Sequence, residues 1–546
     1  MSLRILYAAL VVALVLWTGC RDRKYSPQSV ERVFNVPAAE LRAAIAARIG
    51  SEDRPAWVTP SRWQRVRMAY QRFGDSPLWL EPDGVQDRAT ALLDAIREAP
   101  EHGLDTAAYP IGDIERVVDA KRLTDTATAG SLATADVLLT SAYVAYVADM
   151  VFGQVDPKTV SQAWYIQTTP ADLDSAVVRG LELADMKASL AAMVPQGPEY
   201  EALKTAYARY RRVAAAGGWP IIEQKRDSAT AAALHARLAA EFEFDVDEAA
   251  RAVDSTADAG FLTRRHMRNP ADDDHISELV RELQRRHGLE PSGRLNDATI
   301  AALNVSAADR AQQVAANLER HRWLPSYLGR RYVYVNVPAF TLTAYDSGGE
   351  KALEMKVVVG EEFEGKVTPV FSDSMETVVF RPYWNVTPDI QKKEIEPKLA
   401  SDPGYLARND MEYWSDKGVR RIRQRPGEKN SLGLVKFLFP NNFNIYLHDT
   451  PAKSLFQRAD RAASHGCIRI EKPAEMAEWV LGWPPEKVQE MMHGERDNRG
   501  IRVPQKIPVY IVYFTVYTRD GELYFASDVY GRDEELKEAV RPEAGT

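Results

Sequence analysis

A chain of 546 residues, 45% hydrophobic and 27% charged, has room for three or four domains and an ample core. Its net charge of −8 argues against a nucleic-acid binder. Only two cysteines are present, Cys20 and Cys467, so a disulfide-stapled scaffold is excluded as a fold class.

Residues 1–20 place Arg4 before an apolar run from Ile5 to Trp17, too short for a comfortable membrane span and right for a secretory core. Cys20 ends this run as in a bacterial lipoprotein signal, where it would be lipidated; Trp17 stands where leucine is usual. Residues 21–37 are polar, with two prolines, and read as a tether. From 38 to 231 apolar residues recur at three- and four-residue spacing, which predicts an all-helical domain without visible chemistry. A smaller helical unit covers 232–306, with Asn296 or Asp297 placed to cap its second helix. The helix within 307–330 is expected to return to the first helical domain, making 232–306 an insertion.

From Arg331 the period changes to two. RYVYVNVPAFTLTAYD, KALEMKVVVG and METVVFRPYW read as strands, and Asp520-Gly521 between two apolar-aromatic runs signals a hairpin. A mostly-β domain over 331–533 is therefore expected, and the chain as a whole is multidomain α+β. Residues 388–430 are charged and read as helical or irregular; a segment this long between strands is expected to cap a site. Residues 534–546 read as an acidic tail.

The chemistry-bearing stretch is FNIYLHDTPAKSLFQRADRAASHGCIRI, 443–470. It brings His448 and Ser464-His465-Gly466-Cys467 together, and a thiol with an imidazole near it is the requirement for nucleophilic thiol catalysis. In FNIYLHDT, Phe443, Ile445 and Leu447 alternate with Asn444, Tyr446 and His448, so a strand would turn Tyr446 and His448 away from the core. In CIRI, Ile468 and Ile470 would face inward while Cys467 and Arg469 share the other side. Gly466 permits a tight turn, and the amides of Gly466 and Cys467 could receive an oxyanion. The competing readings are a buried structural cysteine and a zinc site. The latter lacks the close paired spacing and further cysteines that structural zinc uses.

His448 followed by Ser464-His465-Gly466-Cys467 resembles the signature of the L,D-transpeptidases, cysteine enzymes that cross-link peptidoglycan. The phrases YVNVPAF (334–340), VVVG (357–360), TPVFS (368–372), PYWNVTPDI (382–390), QRPGEKNSLGLVKFLFPN (424–441) and YLHDTP (446–451) are similar to the large periplasmic branch of that family. PLWLEPDG, HGLDTAAYP and FGQVDP resemble its helical scaffold. ISELVRELQRRHGLEPSGRLNDATIAALN (276–304) resembles a peptidoglycan-binding-like unit, with Ser292-Gly293 where Asp-Gly is usual.

The resemblance implies Cys467 as nucleophile and His448 as proton donor and acceptor, with His465 and Gly466 shaping the turn and the oxyanion backbone. Arg469, Tyr446, Ser464 and Asn385 are implied on the substrate side. Arg469 stands where many short members carry asparagine and the large branch commonly has arginine. The implied reaction is thioester formation with a tetrapeptide stem, release of the terminal D-alanine, and attack by the side-chain amine of a second stem. No cofactor or metal is implied, carbapenems would acylate Cys467, and the location would be periplasmic and membrane-tethered. Two alternatives share these residues: an L,D-carboxypeptidase or amidase with the same thiol, and a non-catalytic wall-binding scaffold.

Overall fold

The computed structural model describes residues 31–540 apart from 32–33, 52–53, 81–85, 120–126, 162, 167–169, 184, 225–227, 243–269 and 362–366. The expected signal sequence with Cys20, and most of the expected tether, lie outside the described residues. Among the described residues two compact units are present: 31–154 with 170–195, and 155–166 with 196–540. The expected boundary at 231 therefore differs from the observed division. The helix Pro198–Ala215 belongs to the second unit because its buried face (Tyr200, Leu203, Tyr210) meets elements of that unit, Arg322 reaching the Tyr200 hydroxyl at 2.9 Å.

The first unit is all-helical and is built around the 24-residue helix Ala129–Phe152. This helix is long and apolar enough to cross a membrane, yet 83% of its most apolar window is buried inside the unit, as in a core helix. Two buried acids on it are fully hydrogen-bonded. The Asp136 carboxylate accepts from the Tyr70 hydroxyl at 2.6 Å and from the Leu78 and Trp79 amides at 3.0 and 2.9 Å. Asp149 accepts from the Tyr109 hydroxyl at 2.5 Å and is ion-paired with Arg62. Buried polar groups persist in cores on these terms only.

In the second unit, Pro270–Arg286 and Asp297–Leu303 pack with Ser228–Glu241 around Val280, Leu283 and Leu303. Asn296 is the cap, its side chain accepting from the Thr299 amide at 2.8 Å. The following helix, Ala307–Arg322, packs on Pro198–Ala215, and both helices lie in the second unit.

The remainder is mostly β. In chain order the strands are β1 (Tyr332–Asn336), β2 (Thr341–Tyr345), β3 (Lys351–Gly360), β4 (Phe371–Phe380), β5 (Trp384–Asn385), β6 (Met411–Asp416), β7 (Val419–Gln424), β8 (Val435–Leu438), β9 (Leu447–His448), β10 (Ala462–Ser464), β11 (Ile468–Ile470), β12 (Arg499–Val512), β13 (Val516–Arg519) and β14 (Glu522–Phe525). Nine of them form one sheet in the order β10-β3-β11-β9-β8-β4-β12-β1-β2. The ladder closes on itself because the long β3 pairs with β2 through its first half and with β11 and β10 through its second. Val335, Val357, Phe437, Leu447, Ile468 and Ile511 fill the space it encloses. β13 and β14 form the expected hairpin, with Asp520 and Gly521 both at positive φ.

Two expectations are corrected here. Residues 388–430 are not merely helical or irregular. Short helices precede an antiparallel pair, β6 and β7, which joins β5 in a separate three-stranded sheet. Its small core is Val386, Ile395, Met411 and Ile422. The strand pattern is hidden because β7 reads VRRIRQ and places one apolar side chain inward. Nor are residues 534–540, the described part of the expected acidic tail, without structure. The helix Arg532–Val540 docks on the unit with Leu536 in the main core, and Asp533 accepts from the Thr515 hydroxyl at 2.7 Å.

Burial lowers the pKa of three histidines, His287 to about 4, His321 to about 3 and His448 to about 3. Glu199, beside His321, is pushed up to about 7 by burial. As pH falls below about 6.5 the unfolded chain protonates these histidines first, so each costs up to about 1.4 kcal/mol of stability per pH unit until its folded pKa is reached. Glu199 acts in the opposite sense and offsets His321, leaving His287 and His448. The thermal midpoint of the second unit is therefore expected to fall between about pH 6.5 and 4. A midpoint that stays level over that interval in calorimetry contradicts the assignment.

Candidate active site

His448 and Cys467 arrive from neighbouring strands. β9 pairs in parallel with β11, with Leu447 opposite Ile468 and His448 opposite Arg469. β9 also pairs with β8, which sets Lys436 opposite His448. Lys436, His448 and Arg469 thus form one cross-strand row on one face of the sheet, and Cys467 and Tyr446 lie on that face one step along. The alternation expected for CIRI is present: Ile468 and Ile470 are buried, while Cys467 and Arg469 are half-exposed on the opposite side.

The strand expected through Phe443–Thr450 is only two residues long. Asn441 diverts the chain ahead of it, its carbonyl oxygen accepting from the Phe443 and Ile445 amides while its amide donates to the Ile445 carbonyl at 2.7 Å. Asn444 follows at φ +56°, a conformation asparagine tolerates. His448, expected to face away from the core, is 4% exposed. Its Nδ1 stands 2.5 Å from the Asp449 carbonyl oxygen. A carbonyl can only accept, so Nδ1 carries the proton and Nε2 presents a lone pair. Burial is the main reason His448 titrates near 3, with Arg469 and Lys436 adding to it. The imidazole is therefore neutral and able to act as a base at any ordinary pH.

Cys467 is the complement. Burial pushes its thiol up, against hydrogen bonds from the Tyr446 amide and hydroxyl and the charges of Lys436 and Arg469, which favour the thiolate. The thiol donates to the Asn444 carbonyl at 3.6 Å. The resting pair is thus thiol and neutral imidazole. Among the described residues no three His, Cys, Asp or Glu side chains converge to hold a metal ion.

The residues of the SHGC turn divide in role. Ser464, expected on the substrate side, is buried; its hydroxyl donates to the Cys467 carbonyl at 2.6 Å and accepts from the Gly466 amide at 3.2 Å. Its hydrogen-bonding capacity holds the turn. The Gly466 amide is committed in the same bond, so of the two amides expected to receive an oxyanion, Cys467 is the one left open among the described residues. Gly466 has φ +108°, which a side chain would strain. His465 points outward, with Nε2 2.5 Å from Glu394 in the capping segment, and so bridges the motif to that segment. Asn385 is exposed on β5, at a cleft beyond Lys436 and apart from the thiol.

Three supporting residues escaped the sequence reading. Thr368, fully buried, donates to the Gly466 carbonyl at 3.0 Å and accepts from the Gly360 amide. Asp449 accepts from the Leu434 and Thr450 amides at 2.8 and 2.7 Å and from Lys453 at 2.6 Å. Gly433, at φ +58°, lies so close to Asp449 that a Cβ there would fall 2.2 Å from the carboxylate. All three lie inside phrases quoted above, TPVFS, YLHDTP and QRPGEKNSLGLVKFLFPN, but nothing in their residue type announces an internal partner.

Fold and site together define a domain in which a histidine and a cysteine are carried by adjacent strands of a closed sheet. Comparison with known proteins shows what this domain is similar to. Residues 330–511 match the family model of the L,D-transpeptidase catalytic domain, and residues 64–206 match that of a scaffold domain. A curated protein of Haemophilus influenzae, named "Putative L,D-transpeptidase", is 30% identical over 245 residues, covering 41% of this chain and 49% of that protein. The chain therefore spans about half the length of the curated relative it matches, and within it residues 330–511 are similar to an L,D-transpeptidase catalytic domain.

Proposed function

We propose that this chain cross-links peptidoglycan stem peptides by acyl transfer through a Cys467 thioester. The observation that carries the reading is the register of β9 and β11, which sets the Cys467 thiol and a neutral His448 imidazole, its Nε2 lone pair open, on one face of adjacent strands. In the first step the sulfur bonds to the carbonyl carbon of the stem's third residue as the thiol proton passes to His448. The imidazolium then protonates the departing nitrogen of the terminal D-alanine, and a thioester remains. The open Cys467 amide is suited to the oxyanion formed on the way. In the second step the side-chain amine of another stem attacks the thioester, with His448 again taking the proton, and the thiol is released.

Residues 388–430 would cap the bound peptides, with the His465–Glu394 contact joining the cap to the catalytic turn. Carbapenems would acylate Cys467 by the same attack. Export, Cys20 lipidation and periplasmic location are part of this proposal, and the apolar run before Cys20 supports them. Hydrolysis of the thioester, giving an L,D-carboxypeptidase, remains the second reading, since water and an amine differ only in what reaches the acyl group.

The chain without residues 1–37, incubated with purified tetrapeptide muropeptides, is expected to give cross-linked dimers that disappear in Cys467→Ala. Tripeptide stems alone would move the assignment to hydrolysis. Neither product, and no carbapenem adduct by intact mass, would leave a non-catalytic scaffold.

A further inference from the structure

Lys436 carries a charge that nothing internal balances. It is half-buried on β8, and burial lowers its pKa. Among the described residues no carboxylate acts on it, and Cys467, a thiol at rest, would balance it only as the thiolate. Its ammonium stands 5.5 Å from the centre of the Tyr446 ring, whose hydroxyl bonds Cys467. A desolvated ammonium with no carboxylate is costly to maintain for stability alone.

The same side chain lines a cleft of about 430 Å³ between the main sheet and the small three-stranded sheet. Tyr383, Asn385, Trp414 and Arg423 form the opposite wall. Arg423 is already committed: Glu412 holds it at 2.6 Å, and its guanidinium lies 4.0 Å from the centre of the Tyr383 ring and 5.5 Å from that of Trp414. This wall is a fixed stack of two aromatic rings around a neutralised cation. Lys436 is the uncommitted cation in the cleft, and it stands between the cleft and the thiol.

We propose that this cleft is a carboxylate subsite, in which Lys436 takes the free terminal carboxylate of the donor stem and the Tyr383–Arg423–Trp414 wall confines the residue that bears it. The inference rests on the acyl-transfer reading and adds a specificity determinant to it. The reach is consistent. One extended residue spans at most about 3.6 Å, so a carboxylate one residue beyond the attacked carbonyl stays close to the sulfur, where the Lys436 charge already acts. A stem extended by another residue would carry its carboxylate past Lys436, so the subsite selects tetrapeptide donors. The charge that helps the thiolate in the free site would be neutralised when the donor binds.

The test is binding to the Cys467→Ala chain, in which no thiolate can contribute. The probes are the free tetrapeptide acid and its C-terminal carboxamide, measured by calorimetry. The acid is expected to bind about 10- to 150-fold more tightly than the carboxamide, the range for a charge-assisted hydrogen bond. Lys436→Met should erase that ratio by weakening the acid alone, and Lys436→Arg should restore part of it. Equal affinities in the Lys436 chain, a ratio that survives in Lys436→Met, or no binding of either peptide overturns the subsite. Turnover by the chain with Cys467 intact separates this from the reaction itself. Carboxylate-dependent binding without Cys467-dependent turnover defeats the acyl-transfer reading and leaves the subsite. Turnover with no preference for the acid over the carboxamide defeats the subsite alone.

Discussion

Replacing His448 with alanine is expected to lower turnover by about 10²–10⁴-fold, the range for loss of a positioned general acid–base group. The effect should be pH-dependent in a particular way. Burial holds the Cys467 thiol above its ordinary range and the His448 imidazole near 3. A thiolate–imidazolium ion pair would need the opposite order of the two affinities. Alkylation of the free protein by iodoacetamide should therefore climb about tenfold per unit from roughly pH 6 to 8, following thiolate formation, with no acidic plateau. A plateau reaching down to about pH 5 would show a preformed ion pair and refute the resting state described here. In His448→Ala the alkylation slope should persist while transfer of the stem peptide is lost, because the imidazole acts on the proton in the transition state rather than by storing it beforehand.

The second large effect is expected at a residue with no chemistry of its own. Asp449→Ala removes the acceptor of the Leu434 and Thr450 amides and the partner of Lys453, all within the layer behind His448. Buried donors left without partners cost about 1–3 kcal/mol each, so the catalytic unit should lose roughly 2–4 kcal/mol in denaturant melts. Turnover measured well below the midpoint should fall as well: the backbone carbonyl of residue 449 that accepts from His448 Nδ1 is kept in alanine, but the carboxylate bonds that hold its segment in place are lost. Lys453→Ala removes only a side chain that is half-exposed and should cost well under 1 kcal/mol. Equal losses from the two replacements would show that the carboxylate matters only as the lysine's partner.

The contrast between these sites explains what the sequence could reveal. His448, Cys467, Gly466 and the strand alternation around them are legible because residue type and spacing carry chemistry directly. Helical periodicity likewise marks most of the first unit, and Asp520-Gly521 marks its hairpin. Thr368, Asp449 and Gly433 are not legible in that way. Their importance lies in hydrogen bonds and close approach across the fold, which depend on how distant segments meet. Ser464 shows the reverse error: motif membership suggested a substrate contact, whereas the hydroxyl is consumed within its own turn. The strand β7 was hidden by its arginines, because a strand over a core of four buried residues needs few apolar positions. The helix Arg532–Val540 was hidden for a similar reason, with Leu536 its one apolar residue fully in the core.

If the chain is exported, as proposed above, the apolar helix Ala129–Phe152 bears on its passage through the membrane. A segment this hydrophobic risks being retained in the lipid as it passes the translocation channel. Asp136 and Asp149 divide it so that only 12 residues lie between them, fewer than the roughly 20 a span requires. A charge near the middle of a span adds about 2.5–3.5 kcal/mol to its insertion. The carboxylates that later anchor Tyr70 and Tyr109 in the folded unit would thus first act as markers of passage, keeping the helix from becoming a stop-transfer sequence.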